Sequence, residues 1–269
     1  MKLMSEVDWR PYRPGKRWVW VVFFICALSM TGCVYLRLLA IKNQLARFDQ
    51  YFRVEASDSF TLHFLEPKLF GKDVEYLSEL QPTVKKPTGD GEEWTFLFKK
   101  MRSETEESSE AETDIFFVFR FNREGLLTSL TFSPILVRIA PPEFLELSLR
   151  SLGNADVDKK KRQIAGNLEN LAKIKKPLPH REEILRYLGE PISEEPAEDA
   201  LLTTYHYRLD TEVKSPEQEK RRLSTARLYF DPKTHELMRF FGRFSGMKIS
   251  INYRKLVDEK YALTDAGKE

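Results

Sequence analysis

The sequence predicts an α+β fold: two small units in tandem, each a helix with an antiparallel sheet, behind an N-terminal signal or membrane anchor. Three observations predict it. Trp18 to Leu36 is a run of 19 residues without a charge, preceded by Lys2, Arg10, Arg13, Lys16 and Arg17. Beyond it, several segments alternate aromatic or aliphatic residues with others, the period-two pattern of strands. Those segments fall in the same order twice, with Pro82 and Pro191, 109 residues apart, as matching landmarks.

Composition narrows the function classes. The chain has 269 residues, with 43 basic and 41 acidic, so no global positive charge marks it for nucleic acid. Apolar residues make up 42 % and there are 19 phenylalanines, enough for a packed core. Cys26 and Cys33 are the only cysteines. The body after them can hold no disulfide framework, thiolate metal site or cysteine nucleophile. A cysteine-free body is compatible with an oxidising compartment.

Residues 1–32 read as a signal peptide or apolar anchor. The basic flank stays cytoplasmic, which places the body outside the cytoplasm, in a periplasmic cell-envelope setting. The uncharged run is just long enough to span a bilayer, for which roughly 20 residues are needed. "LSMTGC", Leu28 to Cys33, resembles the lipobox of bacterial lipoprotein signals. The resemblance makes Met30, Thr31 and Gly32 the cleavage motif, and Cys33 the lipidated first residue of the mature chain. The alternative is an uncleaved, single-pass anchor. Residues 33–56 follow as a membrane-proximal amphipathic helix: Leu36, Leu39, Ala40, Ile41, Leu45, Phe48 and Tyr51 recur at helical spacing. Arg37, Lys42 and Arg47 on it are placed to meet lipid headgroups.

The first α+β unit is expected over 57–141. Asp73 to Thr83 is a short amphipathic helix stopped at Pro82, since proline cannot continue a helix. Glu93 to Lys100 is a strand with Trp94, Phe96 and Phe98 on one face. An acidic loop, Arg102 to Glu112, leads to Asp114–Ser133, two strands around a turn at Asn122 to Gly125. Ile135 to Ala140 is a candidate last strand. Residues 142–178 form a helical, basic linker. It opens with the helix "EFLELSLRSLG" ended at Gly153, and continues through Lys159, Lys160, Lys161 and Arg162. The second unit, 179–257, repeats the order. A helix ends at Pro191, a strand carries Tyr205, Tyr207 and Leu209, and a polar loop covers Lys214 to Arg222. A strand pair turns at Asp231 to His235, and Met247 to Tyr253 is a last strand. Residues 258–269 are a tail.

The second unit, with its "REEILRYLGEP" helix, aromatic "YHY" strand and "RLYFDPKTHELMRF" hairpin, resembles the SmpA/OmlA (BamE-like) domain of bacterial outer-membrane lipoproteins. The match covers Pro179 to Phe244. It implies a short helix followed by a three-stranded antiparallel sheet. The first unit departs from the pattern, lacking the glycine before Pro82 and the Phe-Asp pair.

No catalytic motif stands out. The histidines His63, His180, His206 and His235 are not at metal-ligand spacing. Nucleophile-elbow, phosphate-loop and zinc-protease patterns are missing. The residues therefore read as a non-enzymatic envelope lipoprotein, without catalytic residues, cofactor, metal or nucleic-acid partner. It would act as a scaffold that binds another envelope protein, with Trp94, Tyr205 and Tyr207 as aromatic anchors. The alternative is a module that holds an apolar or lipid ligand between sheet and helix.

Overall fold

The computed structural model describes residues 34–102, 113–153, 173–244 and 246–258, and the backbone of 156–158 and 163–165. Helix α1 is described over 34–45, followed by the single turn α2 (Phe48–Tyr51), β1 (Phe52–Ala56) and β2 (Phe60–Phe64). Then come α3 (Gly71–Ser78), β3 (Val84–Thr88), β4 (Gly91–Lys100), β5 (Ile115–Asn122) and β6 (Leu127–Phe132). Helices α4 (Pro134–Ile139) and α5 (Pro142–Gly153) lead through β7 (Asp156–Asp158) and β8 (Gln163–Ala165) to α6 (Arg181–Leu188). The chain closes with β9 (Ser193–Ala197), β10 (Ala200–Leu209), α7 (Pro216–Arg222), β11 (Leu223–Phe230), β12 (Leu237–Phe244), β13 (Met247–Asn252) and α8 (Tyr253–Leu256).

These strands correct the expected fold class. They form one curled antiparallel sheet of eleven strands, a half-barrel with small helices, rather than two small BamE-like units. The order is β1-β2-β6-β5-β4-β10-β11-β12-β13, with β3 paired to β4 and β9 to β10. Unequal strand lengths are the physical reason. β3 covers only Gly91–Thr95 of β4, and β9 covers only Ala200–Thr204 of β10. Each long strand is left with an uncovered end, and unpaired backbone groups on such an edge template further pairing. The two ends meet antiparallel, with Phe98 opposite Leu209 and Lys100 opposite Tyr207.

Local hydrogen bonds do recur between the halves. Thr83 N–H donates to the Thr95 carbonyl (2.8 Å), and Ile192 N–H to that of Thr204 (2.9 Å). Gly71 donates to Gly125, and Arg181 to His235; Leu127 donates to Leu69, and Leu237 to Pro179. The strands β3 and β9, exposed along nearly their whole length, were not predicted. Each carries a proline, Pro87 and Pro196, tolerated because the strand lies at an edge.

Four element expectations also change. The helix expected over 33–56 is described as helix only over 34–45 and in the single turn α2, and residues 52–56 are strand β1, paired with β2. Ile135 to Ala140 is not a strand but helix α4. Pro134 presets its first turn, and Ile135, Leu136 and Ile139 are buried. The place beside β6 is taken instead by β2 from upstream, with Phe60 opposite Phe132 and His63 opposite Ser129. The polar stretch before β11 is helix α7, started by Ser215, whose hydroxyl accepts from Gln218 N–H, and by Pro216. Within the linker, 156–158 and 163–165 pair as a short hairpin rather than continuing a helix. Lys159 to Arg162, the acidic loop from residue 103 and the tail beyond 258 lie outside the described residues.

The concave face of the sheet carries the core. Its centre is aromatic. The ring of Phe244 lies 5.2 Å from Phe98, 5.5 Å from Phe117 and 5.8 Å from Tyr207, so both halves share one cluster. Offset and edge-on aromatic pairs each add about 0.5–1.5 kcal/mol beyond area burial. Behind it, the buried Tyr253 hydroxyl donates to the Ile139 carbonyl (2.8 Å), and the Tyr253 ring packs on Phe144, tying α8 to α4 and α5.

Candidate functional site

Towards the first half, the described residues leave the concave face unfilled. A cavity of about 330 Å³ lies between the sheet and helices α1, α3 and α5. Ile41 and Leu45 of α1 face Leu62, Phe96, Phe119 and Leu149 across it. The β12–β13 turn closes one end with Gly246 and Met247, where the curl of the sheet brings it against α3. Ser78 is the one hydroxyl in the lining, and it is already engaged, donating to the Leu80 carbonyl (2.9 Å). The walls therefore offer shape and apolar contact and no polar group seeking a partner. Gly246 has φ +88°, and a Cβ there would fall 2.7 Å from the Leu77 carbonyl oxygen. Only glycine lets the turn approach α3 this closely.

Helix α1 is a wall of this cavity and is pinned at both ends. The Arg37 guanidinium meets the Asp73 carboxylate two-fold, Nε to Oδ2 at 2.7 Å and Nη2 to Oδ1 at 2.5 Å. The Asp73 side chain is 1 % exposed and that of Arg37 16 %. Asp73 Oδ2 also accepts from Phe70 N–H (2.9 Å), so one carboxylate caps α3 and holds α1. At the other end, Gln44 donates to the Glu66 carbonyl (2.9 Å). Arg150 of α5 grips Asp49 and Glu146 and stacks on Phe48, its charge centre 4.3 Å from the ring centroid. The hydrogen bond from Arg150 lowers the Asp49 pKa. Gly153 lets the end of α5 touch the backbone of Leu45 and Ala46, where a Cβ would fall 2.3 Å away. Arg37 thus points into the protein rather than to headgroups, and Arg47 lies over the Tyr51 ring at 4.9 Å.

The other sequence-derived site residues fall elsewhere. Met30, Thr31, Gly32 and Cys33 lie outside the described residues. Trp94, Tyr205 and Tyr207 are buried on the concave face, at 6 %, 0 % and 0 % exposure. Trp94 packs on Phe121 and closes against Gly71, and Tyr205 donates to the Gly189 carbonyl (3.0 Å). A partner at the surface meets other side chains. His63 and His206 stand on the outer face, opposite their aromatic neighbours.

His180 and His235 come together, which their 55-residue separation concealed. Their rings are 6.0 Å apart and both donate to Glu182, His235 Nδ1 at 2.7 Å. The signal was available: His180 begins α6 where Phe70 begins α3, and His235 occupies the turn position of Gly125. Among the described residues no group of three or more His, Cys, Asp or Glu side chains is disposed to hold a metal ion. The hydrogen bond from His235 is the main cause holding the Glu182 pKa down at about 2. Because the folded pKa is depressed, this contribution to stability is complete above the ordinary value near 4.5 and is lost as pH falls towards 2. Carboxyl NMR titration is expected to place the Glu182 midpoint near 2, and His235→Ala is expected to return it towards the ordinary value.

Compared with protein-family models, with curated proteins and with solved structures, the chain matches none.

Proposed function

We propose that this chain is a membrane-tethered, non-enzymatic binding module. It holds the apolar part of an amphiphile, such as a single acyl chain, in the cavity between the sheet and α1. The cavity is the observation that carries this reading. Protein interiors leave few voids larger than a water molecule. An unfilled apolar void costs of the order of 20 cal/mol per Å³, so one of this size sacrifices several kcal/mol if nothing occupies it. Its volume of about 330 Å³ sits at the small end of ligand pockets, which run from about 300 to 1,000 Å³. With no free polar group in the wall, affinity comes from burial, near 0.8 kcal/mol per methylene, and a polar head stays outside. The tether is lipid on Cys33 or the uncharged run itself, with the body outside the cytoplasm in the cell envelope. The burial of Trp94, Tyr205 and Tyr207 favours this reading over a scaffold that uses them as anchors.

The test is uptake of a fluorescent fatty acid by the detergent-solubilised full chain, with native mass spectrometry of the purified protein. Saturable uptake is expected, and Leu130→Trp, which places an indole in the cavity wall, is expected to abolish most of it. Overpacking of this kind typically costs about 1–3 kcal/mol, so the variant should still fold. Absence of uptake by the folded wild type, or undiminished uptake by Leu130→Trp, would overturn the proposal.

A further inference from the structure

The outward side of α1 carries Tyr35, Leu36 and Leu39, which are 60 %, 64 % and 38 % exposed. Helix α3 adds Tyr76 and Leu77, at 63 % and 43 %. The two helices are joined by the Arg37–Asp73 pair and wall the same cavity, so these side chains belong to one side of the molecule. Leu77 is at once exposed and part of the cavity lining, so the cavity reaches the surface there. The turn packed on the Leu77 carbonyl begins β13, whose exposed Lys248 stands opposite exposed Arg243 on β12. Among the described residues neither cation has an acidic partner.

We infer that this side docks on an anionic bilayer and that the cavity takes its amphiphile directly from that bilayer. The ligand half of this inference rests on the proposed function; the docking half rests on the surface alone. Exposed large apolar side chains gathered at one place mark an interaction site. Its occupant is fixed by the chain itself. The uncharged run from Trp18 ends at Leu36, inside α1, so the segment suited to a bilayer enters the fold at this patch. Apolar residues bordered by cations are the composition of surfaces that lie in the headgroup region, where apolar faces sink about 5–10 Å. Basic residues next to such a surface add attraction to anionic lipid. In this pose the opening beside Leu77 faces the acyl chains, and a ligand enters with its head still among the headgroups.

The experiment uses the full chain in vesicles containing lipids brominated along the acyl chain, which quench tryptophan on contact. Tyr76→Trp places the reporter in the patch, and Tyr229→Trp places it at the far end of the β11–β12 pair. The native tryptophans contribute equally to both. Loss of the added fluorescence is expected for Tyr76→Trp and not for Tyr229→Trp. Adding R243E and K248E to Tyr76→Trp is expected to reduce quenching in phosphatidylglycerol vesicles and to leave phosphatidylcholine vesicles unchanged. Equal quenching at the two reporters would overturn docking through this side. Insensitivity to the charge reversals would overturn the anionic requirement. Docking as expected, with no fatty-acid uptake in detergent, would overturn the amphiphile and leave the surface.

Discussion

Arg37→Ala is expected to lower the unfolding free energy by about 3–5 kcal/mol, the cost of leaving one member of a buried ion pair alone. The residue left behind is Asp73, whose side chain is 1 % exposed. Its carboxylate keeps only the Phe70 N–H among the donors described above, which cannot replace a two-fold guanidinium contact. Among the described residues, this is the one buried ion pair that pins α1, so the variant also loosens the wall that carries Ile41 and Leu45. Urea unfolding of the detergent-solubilised chain measures the first effect through the midpoint. Fatty-acid uptake measures the second, and weaker retention is expected. Arg37→Met combined with Asp73→Leu separates the causes. Replacing both partners with apolar groups of similar volume is often neutral or better, so the double variant should recover most of the stability. A destabilisation below about 1 kcal/mol for Arg37→Ala would mean that the pair behaves like a surface contact.

The sequence made some of this legible, and the physical reasons for the rest are specific. Strands β4 and β10 announce themselves because one face is buried and one is not, which produces alternation. β3 and β9 are almost wholly exposed and leave no period to read. The run at Ile135 is short, apolar and β-branched, so period alone cannot separate strand from buried helix; Pro134 was the deciding signal. The seam between β4 and β10 follows from how much of each strand its short neighbour covers, a quantity with no local signature. Cavity residues such as Leu62 and Phe119 have the same chemistry as filled-core residues. Arg37 reads as a headgroup contact on a helical wheel, because its partner lies 36 residues downstream in a capping role.

Phe244→Ala tests the seam. The side chain is fully buried and touches Phe98 and Phe117 of one half and Tyr207 of the other. Removing a buried phenylalanine ring costs about 3–5 kcal/mol, with the upper part expected where neighbours are held by a sheet and cannot collapse inward. The more informative quantity is the shape of the transition. Two independent tandem units would unfold separately, and a lesion in the second would leave the first untouched. One sheet with a shared aromatic centre makes the loss common to both halves. Native-state hydrogen exchange resolves this by residue. The amides of β5, in the first half, are expected to lose protection together with those of β11, by the same free energy as the global shift. Unchanged protection in β5 beside a weakened β11 would restore two separable units and reduce the β4–β10 pairing to a contact between them.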